Sequence, residues 1–536
     1  MWARRIAGFF IILLCLMSPV SVWAHASLEE AVPAPGSQLS AAPSSVVLTF
    51  NEGIENQVYS LQVFDQDGKP VTDRKAAVSE NRRQLSLDLP KLDTGWYTVS
   101  YKVISADGHP ISGSYVVTVG SAASGASAET AAHSHEHDLS SDMEPLHWAI
   151  FAARMVYFIV LLLLAGWVLW SVISPARPEH IRDTDAAWSF HLQGAFLLAQ
   201  IVLIALQMQL LIDGWEAEQL IGLFFGTTVG LSWVSSLCLG FIGLAVLHRW
   251  RWADGVWVLL LLAAKSVNGH AMAYDPPLRT VALDLIHLLA AAVWAGGLFY
   301  LAVHWRKHRE HALQFYPLFS RAAFGSIAVL TVTGTISALL YSRKLQYLLE
   351  TQWGLLLFIK CALVALVIAA AGWMRLLVKR GKLQGAAALL KLDVALMLLI
   401  SCVVGIFTYL SPTPANTPLY WHEMGTTIHM SANITPNVPG NNNIRVKVWL
   451  PEKQGKPPKT VQLYMTSLDR PEVAPIEVPL APLEGAIGFA EFPDFKDYQY
   501  SSQGPYLPFA GNWEVQVRVM DPEDNETVYR KEIRIY

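Results

Sequence analysis

WAIFAARMVYFIVLLLLAGWVLWSV, residues 148–172, is the stretch whose reading decides the architecture of this chain. Its single charged side chain is Arg154. A run this apolar and this long suits an α-helix crossing a bilayer, which needs about 20 residues for a hydrocarbon core of about 30 Å. No water is available there, so each peptide group must find its partner within the segment, and a helix does that. Outward from this run the pattern repeats. Comparable stretches at roughly 187–212, 222–247, 255–272, 280–304, 318–342, 352–374 and 388–411 predict a bundle of eight transmembrane helices over 146–411. The fourth stretch is the shortest.

Basic residues collect on the cytoplasmic side of membrane proteins, so the loops set the orientation. One set of loops carries Arg177, Arg182, Arg249, Arg251, Arg306, Lys307, Arg309, Arg321, Arg375, Lys379, Arg380 and Lys382. The opposite set carries only Arg279, Arg343 and Lys344, beside Asp213, Glu216 and Glu218. The bias predicts a multi-pass cell-membrane protein with both soluble ends, 25–145 and 412–536, on the extracytoplasmic side. A net charge of −4 over 536 residues argues against nucleic acid as a partner. No P-loop signature is present, so ATP-driven pumping by this chain alone is not expected. Cys15 lies in the N-terminal apolar run and Cys238, Cys361 and Cys402 in the membrane runs. The exported parts therefore have no disulfide to draw on, nor a thiolate for metal.

Residues 1–24 read as a signal peptide, with Arg4 and Arg5, an apolar core from Ile6 to Val20, and a Val22-Trp23-Ala24 ending. Cleavage after Ala24 makes His25 the first residue. Short alternating runs at 46–50, 58–64, 84–89, 96–104 and 115–119, separated by Asp-Gly and Thr-Gly turns, predict an immunoglobulin-like β-sandwich over 25–120. Residues 121–145 have almost nothing to bury and read as a flexible linker. Its histidines His133, His135 and His137 are either a relay for metal or polar filler. Runs at 444–450, 461–467, 488–492, 513–520 and 528–535 predict a second, smaller β-sandwich over 412–536. That part opens with Trp421-His422-Glu423-Met424 and His429-Met430, which read first as packing and second as copper ligands.

The densest chemistry is His25 with Ser105-Ala106-Asp107-Gly108-His109-Pro110. Asp107 and His109 are two apart, so in extended chain they point to one side, and Gly108 lets the backbone turn between them. A terminal histidine adds its α-amine and its ring. The sum is a mainly nitrogen set with one oxygen, which suits Cu(II). An incidental histidine after an Asp-Gly turn is the plain alternative.

His25-Ala26-Ser27-Leu28, Pro33-Ala34-Pro35-Gly36-Ser37, Leu48-Thr49-Phe50-Asn51-Glu52, Gly95-Trp96-Tyr97 and the Asp-Gly-His motif together resemble the CopC family of exported copper-binding proteins. The resemblance implies Cu(II) ligation by His25, Asp107 and His109, with Glu52 as a supporting acidic group. With no methionine between His25 and Asp142, the family's Met-rich Cu(I) site is not expected. Asn268-Gly269-His270-Ala271, His287-Leu288-Leu289, Val293-Trp294-Ala295-Gly296-Gly297 and Gln352-Trp353-Gly354 with Lys360 resemble CopD, the membrane partner of CopC. Gly511-Asn512-Trp513-Glu514-Val515 resembles a YtkA-like domain. The whole layout is similar to the YcnJ-like CopC–CopD fusions of copper uptake.

Ionisable groups at membrane depth cost roughly 2.5–3.5 kcal/mol each and tend to face the interior. His270, Asp284 and His287 are therefore candidates for a transport path, and Gln193, Gln200 and Gln207 draw a polar stripe at seven-residue spacing. Cross-linking between helices is the alternative role for such residues. The expected function is copper transport: capture of Cu(II) outside and import through the bundle, with Cu(I) as an alternative ion in the membrane path. The expected partners are copper, the lipid bilayer, and an extracytoplasmic copper chaperone or reductase. A resistance, sequestration or sensing protein is the alternative. An enzyme is not expected, because Asp107 would fill a position that O₂ chemistry at a copper oxidase wants open.

Overall fold

The computed structural model describes residues 28–34, 37–39, 41–50, 52–66, 68–106, 108, 110–120, 145–174, 179–211, 217–272, 277–342, 344–410, 412, 414, 416–425, 428–451, 456–483 and 495–536. The predicted signal peptide, His25, Asp107, His109, the linker histidines His133, His135 and His137, and the strand expected at 488–492 lie outside the described residues.

The N-terminal part contains strands β1 (Leu28–Val32), β2 (Gln38–Leu39), β3 (Ser45–Phe50), β4 (Ser60–Phe64), β5 (Ala77–Val78), β6 (Gln84–Asp88), β7 (Gly95–Ile104) and β8 (Pro110–Val119). They form two four-stranded sheets, ordered β1-β3-β6-β5 and β2-β8-β7-β4. Burial alternates along β3 and β7, as one-sided packing requires. Val46, Leu48 and Phe50 of the first sheet meet Tyr97, Val99 and Tyr101 of the second in one core.

The helical part contains α1 (Pro145–Ile173), α2 (Glu179–Leu211), α3 (Ala217–Gly226), α4 (Thr228–Val246), α5 (Arg251–Ser266), α6 (Pro277–Lys307), α7 (Arg309–Tyr341), α8 (Tyr347–Glu350), α9 (Gln352–Lys379) and α10 (Leu383–Phe407). Among the described residues, seven helices are long and apolar enough to span a membrane, where eight were expected. The exception is α5, the predicted fourth span. At 16 residues it is about 24 Å long, short of the hydrocarbon core. It still runs through the bundle antiparallel to α4: Arg251 donates to carbonyls at the end of α1, and the Ser232 hydroxyl donates to the Ala264 carbonyl. Gly166 of α1 and Gly296 of α6 touch backbone to backbone, an approach that any Cβ would block.

The C-terminal part contains β9 (Leu419–Met424), β10 (His429–Thr435), β11 (Gly440–Pro451), β12 (Thr460–Ser467), β13 (Ile476–Val478), β14 (Ala481–Pro482), β15 (Phe495–Leu507), β16 (Gly511–Met520) and β17 (Glu526–Ile535). Five strands, β14-β15-β11-β10-β9, face four, β13-β12-β16-β17, across a core that includes Met430, Val446, Met465 and Trp513. The order of strand-rich, helical and strand-rich parts is the one expected from the sequence.

Candidate copper-handling sites

The loop bearing the Asp-Gly-His motif leaves β7 at a short bridge, Ile54 to Ser105, with the Ala106 amide donating to the Gly53 carbonyl at 2.8 Å. Glu52 thereby lies in the segment alongside the start of the motif, half-buried. Gly108 has φ +90°, a left-handed conformation that the turn requires and that glycine adopts without strain. Pro110 then starts β8.

This loop is seated on the bundle. A Cβ at Gly108 would come 2.6 Å from Val229 Cγ2 of α4. Ile104 packs with Leu223, Val229 and Trp233, and the buried Glu55 carboxylate accepts the Thr228 amide at 3.0 Å. Burial pushes the Glu55 carboxyl above the ordinary range, partly offset by that Thr228 hydrogen bond. Beneath the loop is a small cleft with Gly108 and Pro110 on one wall and Ile150, Gln207 and Tyr409 on the other. The lowest residue of the glutamine stripe thus opens towards the sandwich.

The other two glutamines differ. Gln193 donates its side-chain amide to the Gly240 carbonyl, joining α2 to α4, so it cross-links helices. Gln200 is buried, and its Oε1 has no partner among the described residues.

Of the predicted path residues, Asp284 and His287 sit one turn apart on α6. Asp284 lies among Lys265 and Ser266 of α5 and Lys360 of α9. Lys265 also donates to the Asn268 carbonyl at 2.5 Å and lies 5.3 Å from the Phe158 ring centre. Asp284 therefore lies in the field of two lysines and accepts from Ser266, so as a ligand it would share its charge with them. His287 Nδ1 is 2.8 Å from the Thr333 hydroxyl, which itself donates to the Val329 carbonyl at 2.7 Å. With its proton committed, that hydroxyl accepts from Nδ1–H, which leaves Nε2 as a lone-pair donor. Metal-binding histidines are commonly fixed in this way. His270 starts a 3-10 turn between α5 and α6, and its side chain lies outside the described residues.

Sequence reasoning missed a second polar knot. His304 of α6 is fully buried, with Nε2 3.3 Å from Asp185 Oδ1 and its ring stacked on Tyr300 at 4.2 Å. The Tyr300 hydroxyl is 2.8 Å from His311 Nε2. The spacing of His304, His308 and His311 was the available signal. Among the described residues, no group of three or more His, Cys, Asp and Glu is arranged to hold a metal ion.

Comparison with known proteins gives this geometry a context. The CopC domain model matches residues 28–120, and the model for Copper resistance protein D matches 313–411. Protein YobA of Escherichia coli (strain K12) is 35% identical over 119 residues, which are 22% of this chain and 96% of that protein. The chain belongs to the CopC family, as a CopC–CopD fusion. Copper transport protein CutJ of Bacillus subtilis (strain 168) is 25% identical to the fusion over 559 residues, 98% of each chain. The crystal structure of CopC from Methylosinus trichosporium OB3b has 36% identity to it and a TM-score of 0.17, covering 18% of the fusion and 93% of that chain. With its apolar helices, the fusion is a multi-pass membrane protein. The CopD match includes Thr333 and Lys360, whereas Asp284 and His287 precede it.

Proposed function

We propose that this fusion is a copper transport protein that captures Cu(II) outside the cell and imports copper through its bundle. The observation that carries this reading is the seating of the CopC domain on helices α2, α3 and α4 of a bundle whose later part, 313–411, matches CopD, with Gly108 and Pro110 over the cleft that Gln207 lines. His25, Asp107 and His109 are the proposed Cu(II) ligands, with Glu52 beside them, and both soluble domains face the extracytoplasmic side. The α-amine has a reference pKa near 8 and the imidazoles near 6.5, so metal displaces protons and binding weakens in acid. Asp284, His287 and His270 form the proposed path, with His287 Nε2 as the most clearly prepared donor. The linker histidines His133, His135 and His137 hand the ion towards it. Lys265 and Lys360 beside Asp284 oppose a free cation, which favours the singly charged Cu(I) in the path, after reduction by a separate extracytoplasmic partner. The fusion acts as a carrier and not as an oxidase, with Asp107 completing the copper set.

The test is Cu(II) titration of the mature protein together with copper uptake. His25→Ala should abolish tight Cu(II) binding and lower uptake at limiting copper. His287→Ala should stop uptake and leave Cu(II) binding intact. Uptake unchanged in both variants would refute the import reading.

A further inference from the structure

The C-terminal domain carries a donor cluster on the outer face of its five-stranded sheet. In β9, burial separates two sides: Leu419 and Trp421 are buried in the core, while Tyr420, His422 and Met424 are exposed. The register sets Met424 directly opposite His429 on β10, and His429 directly opposite Trp449 on β11. Side chains paired in this way stand on the same side about 5 Å apart, and His422 occupies the neighbouring diagonal position at about 7–8 Å. Two imidazoles and one thioether therefore share a patch a few ångströms wide.

The surroundings suit a soft cation. Trp449 packs on this outer side and not in the core, yet it is only 3% exposed; His422 stands edge-on to it, with ring centres 5.5 Å apart. Phe495 of β15 covers His429 at 4.5 Å. Lys447, on the same face of β11, is 4.8 Å from the Trp449 ring and 3.9 Å from the Asp497 carboxylate. Packing does not explain Met424, which is 66% exposed, whereas Met430 one strand over fills the core.

Thioether sulfur selects Cu(I) over Cu(II) or zinc, and an aromatic face adds attraction for a desolvated cation. We propose that His422, Met424 and His429 bind one Cu(I) ion on this face, with Trp449 as its aromatic wall. The site rests on copper being the cargo but not on the direction of transport.

The experiment is anaerobic titration of the detergent-solubilised full chain with Cu(I) against a colorimetric Cu(I) chelator, with X-ray absorption of the bound metal. Met424→Leu conserves shape at an exposed position, and His422→Gln is a second exposed variant. Each should weaken Cu(I) retention by about tenfold or more, and Met424→Leu should remove the sulfur neighbour from the spectrum. Tyr420→Phe, an exposed change on the same strand, should leave both readouts unchanged, and Cu(II) titration of the Met424→Leu protein reports the N-terminal site separately. Cu(I) retention and a sulfur signal that survive Met424→Leu would overturn the assignment. So would retention unaltered by His422→Gln.

Discussion

Two polar side chains in the bundle show how a partner decides a role. Gln193 spends its amide on the Gly240 carbonyl and holds two helices together. His287 spends Nδ1 on Thr333 and keeps Nε2 for something else. Thr333→Val should therefore impair copper uptake in the same direction as His287→Ala but less severely, because the ring persists without its fixed orientation. Uptake assays in cells expressing each variant at equal levels check this, and normal uptake in Thr333→Val would mean the hydroxyl bond is incidental. At the outer site, one extra residue left before His25 should weaken Cu(II) binding by displacing the α-amine, as isothermal titration would read. Equal affinity would exclude the terminus as a ligand. Asp107 and His109 are proposed from sequence because their spacing alone suggests shared chemistry; both lie outside the described residues. The Thr333 hydroxyl, 46 positions from His287, is not, because only helix packing brings it near.

The short helix α5 and the loop after β7 make the same point for larger pieces. Hydropathy locates α5, but 16 residues give it about a fifth less length than a typical span, and a hydropathy window cannot see where backbone hydrogen bonding stops. Strand β15 escapes a reading by alternation because its run Tyr498-Gln499-Tyr500-Ser501-Ser502-Gln503 is largely polar. The sequence cannot report that the Asp-Gly-His loop sits against α4, since Ile104, Val229 and Trp233 read only as members of their own elements. That docking is testable. Gly108→Ala meets both a left-handed backbone and Val229, so it should cost about 1–2 kcal/mol of sandwich stability, measured by thermal unfolding of the full chain. An unchanged midpoint would contradict the seated loop. Glu55 gives a pH signature. Its carboxyl is held above the unfolded value by burial, so the docked state binds the proton more tightly and loses stability as pH rises through the raised value. Glu55→Gln should remove that part of the decline in metal-free protein, and an identical pH profile would show that the carboxyl is not desolvated there.

Taken as one molecule, the fusion sets two β-domains against one end of a helical bundle. Glu55 meets the start of α4, and Arg534 of β17 meets Glu350 of α8 at 2.9 Å. Tyr409, just past the end of α10, lines the cleft under the sandwich and stands edge-on to Phe151 of α1 at 5.1 Å. A bundle entered and left at the same end needs an even number of passes, and α5 supplies the one that length alone would not count. Such an arrangement can pass an ion from a capture domain to the membrane without a diffusing carrier. The most direct test is the copper content of cells grown at limiting copper, with the fusion deleted and then restored as wild type or as His25→Ala. The account predicts that deletion lowers cell copper, that the wild-type chain restores it, and that His25→Ala does not. Cell copper that rises on deletion, or that His25→Ala restores in full, would contradict it.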